Sequence, residues 1–237
     1  MFRKISLIIL TILTIQFSSL HVHAGSESVD TELMIMLDAS QSVDAKEFKQ
    51  QRDAYISVLK DPLLIKDIIN AGVNKKISAT LVYWSSPKKI EVAVDWQLIS
   101  NEKESSFFAE KIARTTPFSA NLETTGKPFD GTTAPGSAIA FALQHFKKSV
   151  FKSDRQVIMI SSDGLENDGV STSKIRDQAI KQGIKTINCL TIGSQALRNW
   201  YANNLTAGNN AKTISILDFE TLPDASRELL LHSIAPK

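Results

Sequence analysis

Leu33-Met34-Ile35-Met36-Leu37-Asp38-Ala39-Ser40-Gln41-Ser42 is the stretch that decides the fold. An unbroken apolar run ends abruptly in a carboxylate and two alternate hydroxyls. A run that is apolar at every position suits a strand covered on both faces, as in a parallel sheet. The polar turn at its end then lies where open α/β sheets bind ligands, beyond the carboxyl ends of the strands. A second stretch repeats the pattern: residues 157–160 are apolar and run into Ser161-Ser162-Asp163-Gly164.

Outward from these runs, strands and helices alternate. Asp44 and Glu47 have capping-box spacing and open a helix striped by Phe48, Tyr55, Val58 and Leu59. A shorter helical piece covers 62–69. Residues 77–84 and 90–96 alternate and join across Ser85-Ser86-Pro87-Lys88, which reads as a β-hairpin. A helix is predicted over 105–113, followed by a long polar loop over 115–132. Pro135 then sits in the first turn of a helix striped by Ile139, Leu143 and Phe146. Helices over 175–182, 196–205 and 219–233 and strands over 184–192 and 213–217 complete the chain. The pattern predicts a doubly wound, mostly parallel α/β sheet with helices on both faces.

Residues 1–24 read as a secretory signal peptide rather than as part of the fold. Arg3 and Lys4 precede an apolar run from Ile5 to Ile15, and Val22-His23-Ala24 supplies the small residue for cleavage after Ala24. The run is shorter than the roughly 20 residues a membrane span needs. A mature domain over 25–237, periplasmic or secreted, is expected. Two of the 27 basic residues and none of the 25 acidic ones lie in 1–24, so the mature chain carries 25 of each. A neutral chain without basic clusters gives no electrostatic reason to expect nucleic acid as a partner. Cys189 is the one cysteine, so no internal disulfide is possible, and its apolar strand reads as a buried site.

Three polar turns hold the candidate chemistry: Asp38 to Ser42, Gly131-Thr132-Thr133-Ala134-Pro135, and Ser162-Asp163-Gly164. If the strands ending at Asp38 and Asp163 are neighbours, all three meet on one edge of the sheet. Asp38 and Asp163 would supply carboxylates, and Ser40, Ser42 and Thr133 hydroxyls. An all-oxygen set of this kind suits a hard divalent ion, Mg²⁺ or alternatively Mn²⁺ or Ca²⁺. The absence of Cys and His from the set argues against zinc. With two formal negative charges around it, the ion retains attraction for an anion.

This arrangement resembles the metal-ion-dependent adhesion site (MIDAS) of von Willebrand factor type A (VWA) domains. From about Asp30 onward the chain also resembles a bacterial family of exported type A proteins whose function is uncharacterised. The stretches that carry the likeness are 37–44, Tyr83-Trp84-Ser85, 131–139, 155–169 and 187–193. The resemblance implies an antiparallel hairpin strand at one edge of the sheet and binding to a macromolecule rather than catalysis. It also implies a glycine before Asp163, where this chain has Ser162. Thr132 and Thr133 remain alternatives, and counting back from Gly136-Ser137-Ala138-Ile139 favours Thr133.

The function expected is therefore a monomeric, exported, cation-dependent binding module that engages a carboxylate of a partner protein or other macromolecule. No catalytic residue is assigned, because no nucleophile motif, phosphate loop or dinucleotide fingerprint occurs. An Mg²⁺-dependent hydrolase using the same cleft and a metal-free assembly scaffold are the alternatives. Asp44 and Glu47 read as helix caps, Asn167-Asp168-Gly169 as a turn, and His145 and His232 as helix residues away from the strand ends. Trp84 and Trp96 read as a cover for the sheet edge, with an exposed contact pair as the other possibility.

Overall fold

A computed structural model describes residues 26–118 and 131–234. The predicted leader, 1–24, and most of the predicted loop, 119–130, lie outside the described residues. In chain order the strands are β1 (Glu27–Ser28), β2 (Thr31–Asp38), β3 (Ile77–Trp84), β4 (Ile90–Ile99), β5 (Phe151–Lys152), β6 (Gln156–Ser162), β7 (Ile184–Ile192), β8 (Ala207–Gly208) and β9 (Thr213–Ile216). The helices are α1 (Ala45–Leu59), α2 (Pro62–Asn70), α3 (Glu102–Ala113), α4 (Pro135–Phe146), α5 (Thr172–Lys181), α6 (Gln195–Asn204) and α7 (Leu222–Ile234).

The main sheet runs β4-β3-β2-β6-β7-β8, with β9 also paired to β7. β2, β3, β6, β7 and β9 are parallel, β4 is antiparallel at one edge, and β8 pairs antiparallel with β7. β2 is buried along its whole length because it lies between two neighbours and under helices on both sides. Its alternate side chains feed two cores. Leu33, Ile35 and Leu37 pack toward α1, α2, α3 and α7, while Met34 and Met36 pack toward α4, α5 and α6.

Local sequence chemistry explains the helix boundaries. Asp44 and Glu47 form the reciprocal capping box of α1, with both hydrogen bonds at 2.8–2.9 Å. α3 starts at Glu102, upstream of the predicted 105, because Asn101 caps the Glu104 N–H and the Glu104 carboxylate accepts from Ser100. The predicted final helix begins instead as a 3₁₀ turn, Phe219–Thr221, capped by Asp218. β1, β5 and β8, at two residues each, are too short to leave a periodic signal. Among the described residues no helix is long and apolar enough to cross a membrane.

Candidate metal centre

The chain leaves β2 toward β3 on one side, and later leaves β6 toward β7 on the other. β2 and β6 are adjacent and parallel, so the strand order reverses between them, and a crevice opens at their carboxyl ends. Asp38 is the last residue of β2, and Asp163 directly follows β6. The register pairs Leu37 with Ser161, which sets Asp38 beside Ser162 at the rim.

All five predicted side chains meet there. Ser42 Oγ donates to Asp163 Oδ1 at 2.5 Å and lies 3.1 Å from Ser40 Oγ. Thr133 Oγ1 donates to Ser40 Oγ at 3.2 Å. Asp38 Oδ1 accepts the Ser40 N–H at 2.8 Å, and its Oδ2 accepts the Ser162 hydroxyl at 2.5 Å. Asp38, Ser40 and Thr133 are buried, whereas Ser42 is exposed and Asp163 half-buried, so the cluster opens to solvent on one side.

A second layer fixes these groups. Gln51 of α1 donates to the Asp38 carbonyl at 3.0 Å and accepts from Ser161, locking the end of β2 to β6. Asn167 Oδ1 accepts the Thr133 N–H at 2.8 Å, and the Asn167 N–H donates to the Thr133 carbonyl at 3.0 Å. Thr132 turns away and donates to Asp168 Oδ2 at 2.7 Å. The structure thus brings Thr133, and not Thr132, into the cluster. The hydroxyl of the buried Tyr201 on α6 donates to the Gly164 carbonyl at 2.9 Å. From the sequence alone Asn167-Asp168-Gly169 reads only as a turn, and nothing marks out Gln51 or Tyr201. Their roles depend on tertiary neighbours that no local spacing encodes.

Electrostatics weigh against the charged form of both carboxylates. Burial, reinforced by the nearby Asp163 carboxylate, pushes Asp38 up to about 7 against the hydrogen bonds from Ser162 and Ser40. Burial likewise raises Asp163, with Glu47 and Asp44 adding to the effect and Ser42 opposing it. Two buried or half-buried acids that share a crevice are stabilised in their charged form by a cation. The donor set contains only oxygen, as a hard divalent ion requires. Gly164 packs its backbone against the hydroxyls: an added Cβ would lie 2.8 Å from Thr133 Oγ1 and 3.0 Å from Ser42 Oγ. The residues present fit such an ion. Among the described residues no group of three or more His, Cys, Asp or Glu is placed to hold a metal ion, so hydroxyls would be an obligatory part of any site here.

The other residues weighed in the sequence fall outside the crevice. Trp84 and Trp96 are buried in the core rather than exposed. His145 is a core residue stacked on Trp96, and His232 lies on α7 with Nε2 2.7 Å from the Asn210 carbonyl. Cys189 is buried on β7, as its apolar strand predicts.

This fold is that of a VWA domain. Similar solved structures include proximal thread matrix protein 1 of the mussel byssus, with zinc in its MIDAS motif (TM-score 0.54, 15% identity, 85% of this chain and 46% of that one). A von Willebrand factor type A protein from Catenulispora acidiphila aligns at TM-score 0.55 and 18% identity over 87% of this chain and 43% of that one. The pilus adhesin SpaC from Lactobacillus rhamnosus GG aligns in its open conformation at TM-score 0.57 and 12% identity, over 87% and 30%. The chain spans less than half the length of each. No curated protein matches it in sequence. Residues 28–237 match the family described as "Protein of unknown function (DUF1194)", and the chain belongs to that family.

Proposed function

We propose that this protein is an exported binding module that holds a divalent cation with Asp38, Ser40, Ser42, Thr133 and Asp163 and presents it to an acidic group of a partner macromolecule. The observation that carries the reading is the convergence of three turns, distant in sequence, into one hydrogen-bonded cluster of two carboxylates and three hydroxyls. The two carboxylates would offset the charge of the ion, and the hydroxyls would complete its oxygen shell. A bound ion supplies a positive centre able to accept a partner's carboxylate. Mg²⁺ is the first choice for such donors, with Mn²⁺ and Ca²⁺ as alternatives. The zinc-occupied motif of the byssus protein makes Zn²⁺ a further ion to test. That neighbour and the pilus adhesin are a matrix protein and an adhesin, which agrees with binding rather than catalysis. In this reading residues 1–24 are a cleaved leader and 25–237 act in the periplasm or outside the cell.

The test is titration of the metal-free protein with Mg²⁺, Mn²⁺, Ca²⁺ and Zn²⁺, followed by calorimetry and thermal melting. A ligand at 100 times its Kd stabilises the folded state by about 2.7 kcal/mol, which a melting curve resolves. Asp163→Ala should weaken binding while leaving the circular dichroism spectrum unchanged. A melting temperature indifferent to millimolar excess of all four ions would remove the basis of the proposal. Capture of partners from the native envelope, with and without chelator, then addresses what the ion binds.

A further inference from the structure

Ser162, where the family resemblance leads one to expect glycine, is fully buried at the end of β6. Its hydroxyl donates to Asp38 Oδ2 at 2.5 Å and accepts the Gly164 N–H at 3.3 Å. The Gly164 carbonyl oxygen also lies 3.3 Å away, but a hydroxyl has a single proton, and the short contact to a carboxylate claims it. One side chain therefore spans two loops: the end of β2, which carries Asp38, and the turn that carries Asp163. Because the Ser40 N–H holds the other oxygen of Asp38, both of its oxygens are fixed by donors from opposite sides of the crevice. Repulsion between the two carboxylates works against this closure, and among the described residues no Lys or Arg is one of the groups that act on either acid.

We infer that Ser162 is a positioning residue that staples the Asp38 strand end to the Asp163 turn, so that the cation site is assembled before an ion enters. The inference rests on the metal reading above and concerns a residue outside the proposed ligand set. Partners that orient metal ligands contribute about 10–100-fold to metal affinity. Without the hydroxyl, an entering ion must itself gather two carboxylates that repel one another, and part of its binding free energy goes to that reorganisation.

The experiment measures the Mn²⁺ Kd by calorimetry, together with the metal-free melting temperature, for wild type, Ser162→Ala, Ser162→Gly and Ser162→Thr. Ala and Gly should raise Kd by about 10–100-fold, with the metal-free protein still folded. Thr, which keeps the hydroxyl, should restore affinity close to wild type. A purely structural Ser162 would lower the melting temperature without changing the Kd of the folded protein. Wild-type affinity in both Ala and Gly variants overturns the inference and leaves the metal reading standing, whereas a wild type that binds no Mn²⁺ overturns both. Should the added methyl of Thr not fit the buried position, seen as a fall in melting temperature, the Ala and Gly pair decides alone.

Discussion

The two ends of β2 carry the same ingredient and put it to different use. Glu32 at the amino end and Asp38 at the carboxyl end share one face of the strand, and both are buried, at 2% and 0% exposure. Each receives a hydrogen bond from β6: Gln156 Nε2 to Glu32 at 3.1 Å, and Ser162 Oγ to Asp38 at 2.5 Å. The likeness ends there. Among the described residues Glu32 Oε1 and Ser78 Oγ on the adjacent strand have no hydrogen-bond partner. At that end another acid, Asp30, is engaged by the Asn74 and Lys76 N–H groups and fixes a loop. At the carboxyl end the turns that leave β2 and β6 converge with a third that leads into α4. Burial of an acid is common to both poles, so burial does not make a site. Convergence of donors at the switch point is what distinguishes the candidate.

The largest expected effect follows from removing the central carboxylate. Asp38→Asn keeps the shape of the side chain and should weaken Mn²⁺ binding by about 100-fold or more, since a ligand outweighs the partners that orient it. It should also alter the dependence of metal-free stability on pH. The folded-state value of Asp38, about 7, lies above the ordinary aspartate value of 3.8. The folded state therefore binds the proton more tightly, and this stabilisation is complete at low pH and lost as pH rises through about 7. Metal-free wild type should lose melting temperature between about pH 4 and 7 relative to Asp38→Asn, and saturating metal should restore it at the upper end. Parallel melting curves for the two proteins across that range would show that Asp38 does not carry the charge burden assigned to it.

A smaller effect is expected from steric intrusion alone. Gly164→Ala would place a Cβ 2.8 Å from Thr133 Oγ1, closer than real Cβ contacts come, and at a tight 3.0 Å from Ser42 Oγ. The hydroxyls must yield by a few tenths of an ångström, which takes up most of the roughly 0.5 Å within which a binding constellation must be held. A loss of about tenfold in Mn²⁺ affinity is expected, with little change in the metal-free melting temperature. Unchanged affinity would mean that those hydroxyls do not contribute to binding.

Much of this contrast was legible in the sequence, and the reasons differ from residue to residue. The buried strands announce themselves because parallel strands are covered on both faces, which leaves Leu33 to Leu37 and Val157 to Ile160 apolar without interruption. Asp38, Ser40 and Ser42 were legible because one turn presents alternate side chains together, and Thr133 and Asp163 because their turns also lie at element ends. The choice of Thr133 over Thr132 became definite only with the Asn167 and Asp168 hydrogen bonds that orient the two residues in different directions. Asn101 and Glu104 have cap spacing and signalled the earlier start of α3, a cue that helix-stripe reasoning passed over. Ser162 looked like a defect in a pattern. Its contact with Asp38 depends on the β2–β6 register, which pairs residues 124 positions apart and leaves no trace in local spacing. Gln51 was hidden in the same way, as a polar residue within an otherwise ordinary helix.

The smallest expected effect tests the other pole of β2. Glu32→Gln removes the charge but keeps the length and the neighbour at Gln156. If the site is confined to the carboxyl end, Mn²⁺ affinity should stay at the wild-type value. Replacing a buried charged group with a neutral one of similar shape is often neutral or stabilising, so a change in unfolding free energy within about 1 kcal/mol, or a gain, is expected. Denaturant unfolding of the two proteins under identical conditions measures this directly. A loss above about 2 kcal/mol would mean that the Glu32 carboxylate makes a contact that the amide cannot replace. The amino end of the strand would then be a second polar centre rather than a buried acid without a role, and the difference between the two ends would be one of chemistry, not of presence against absence.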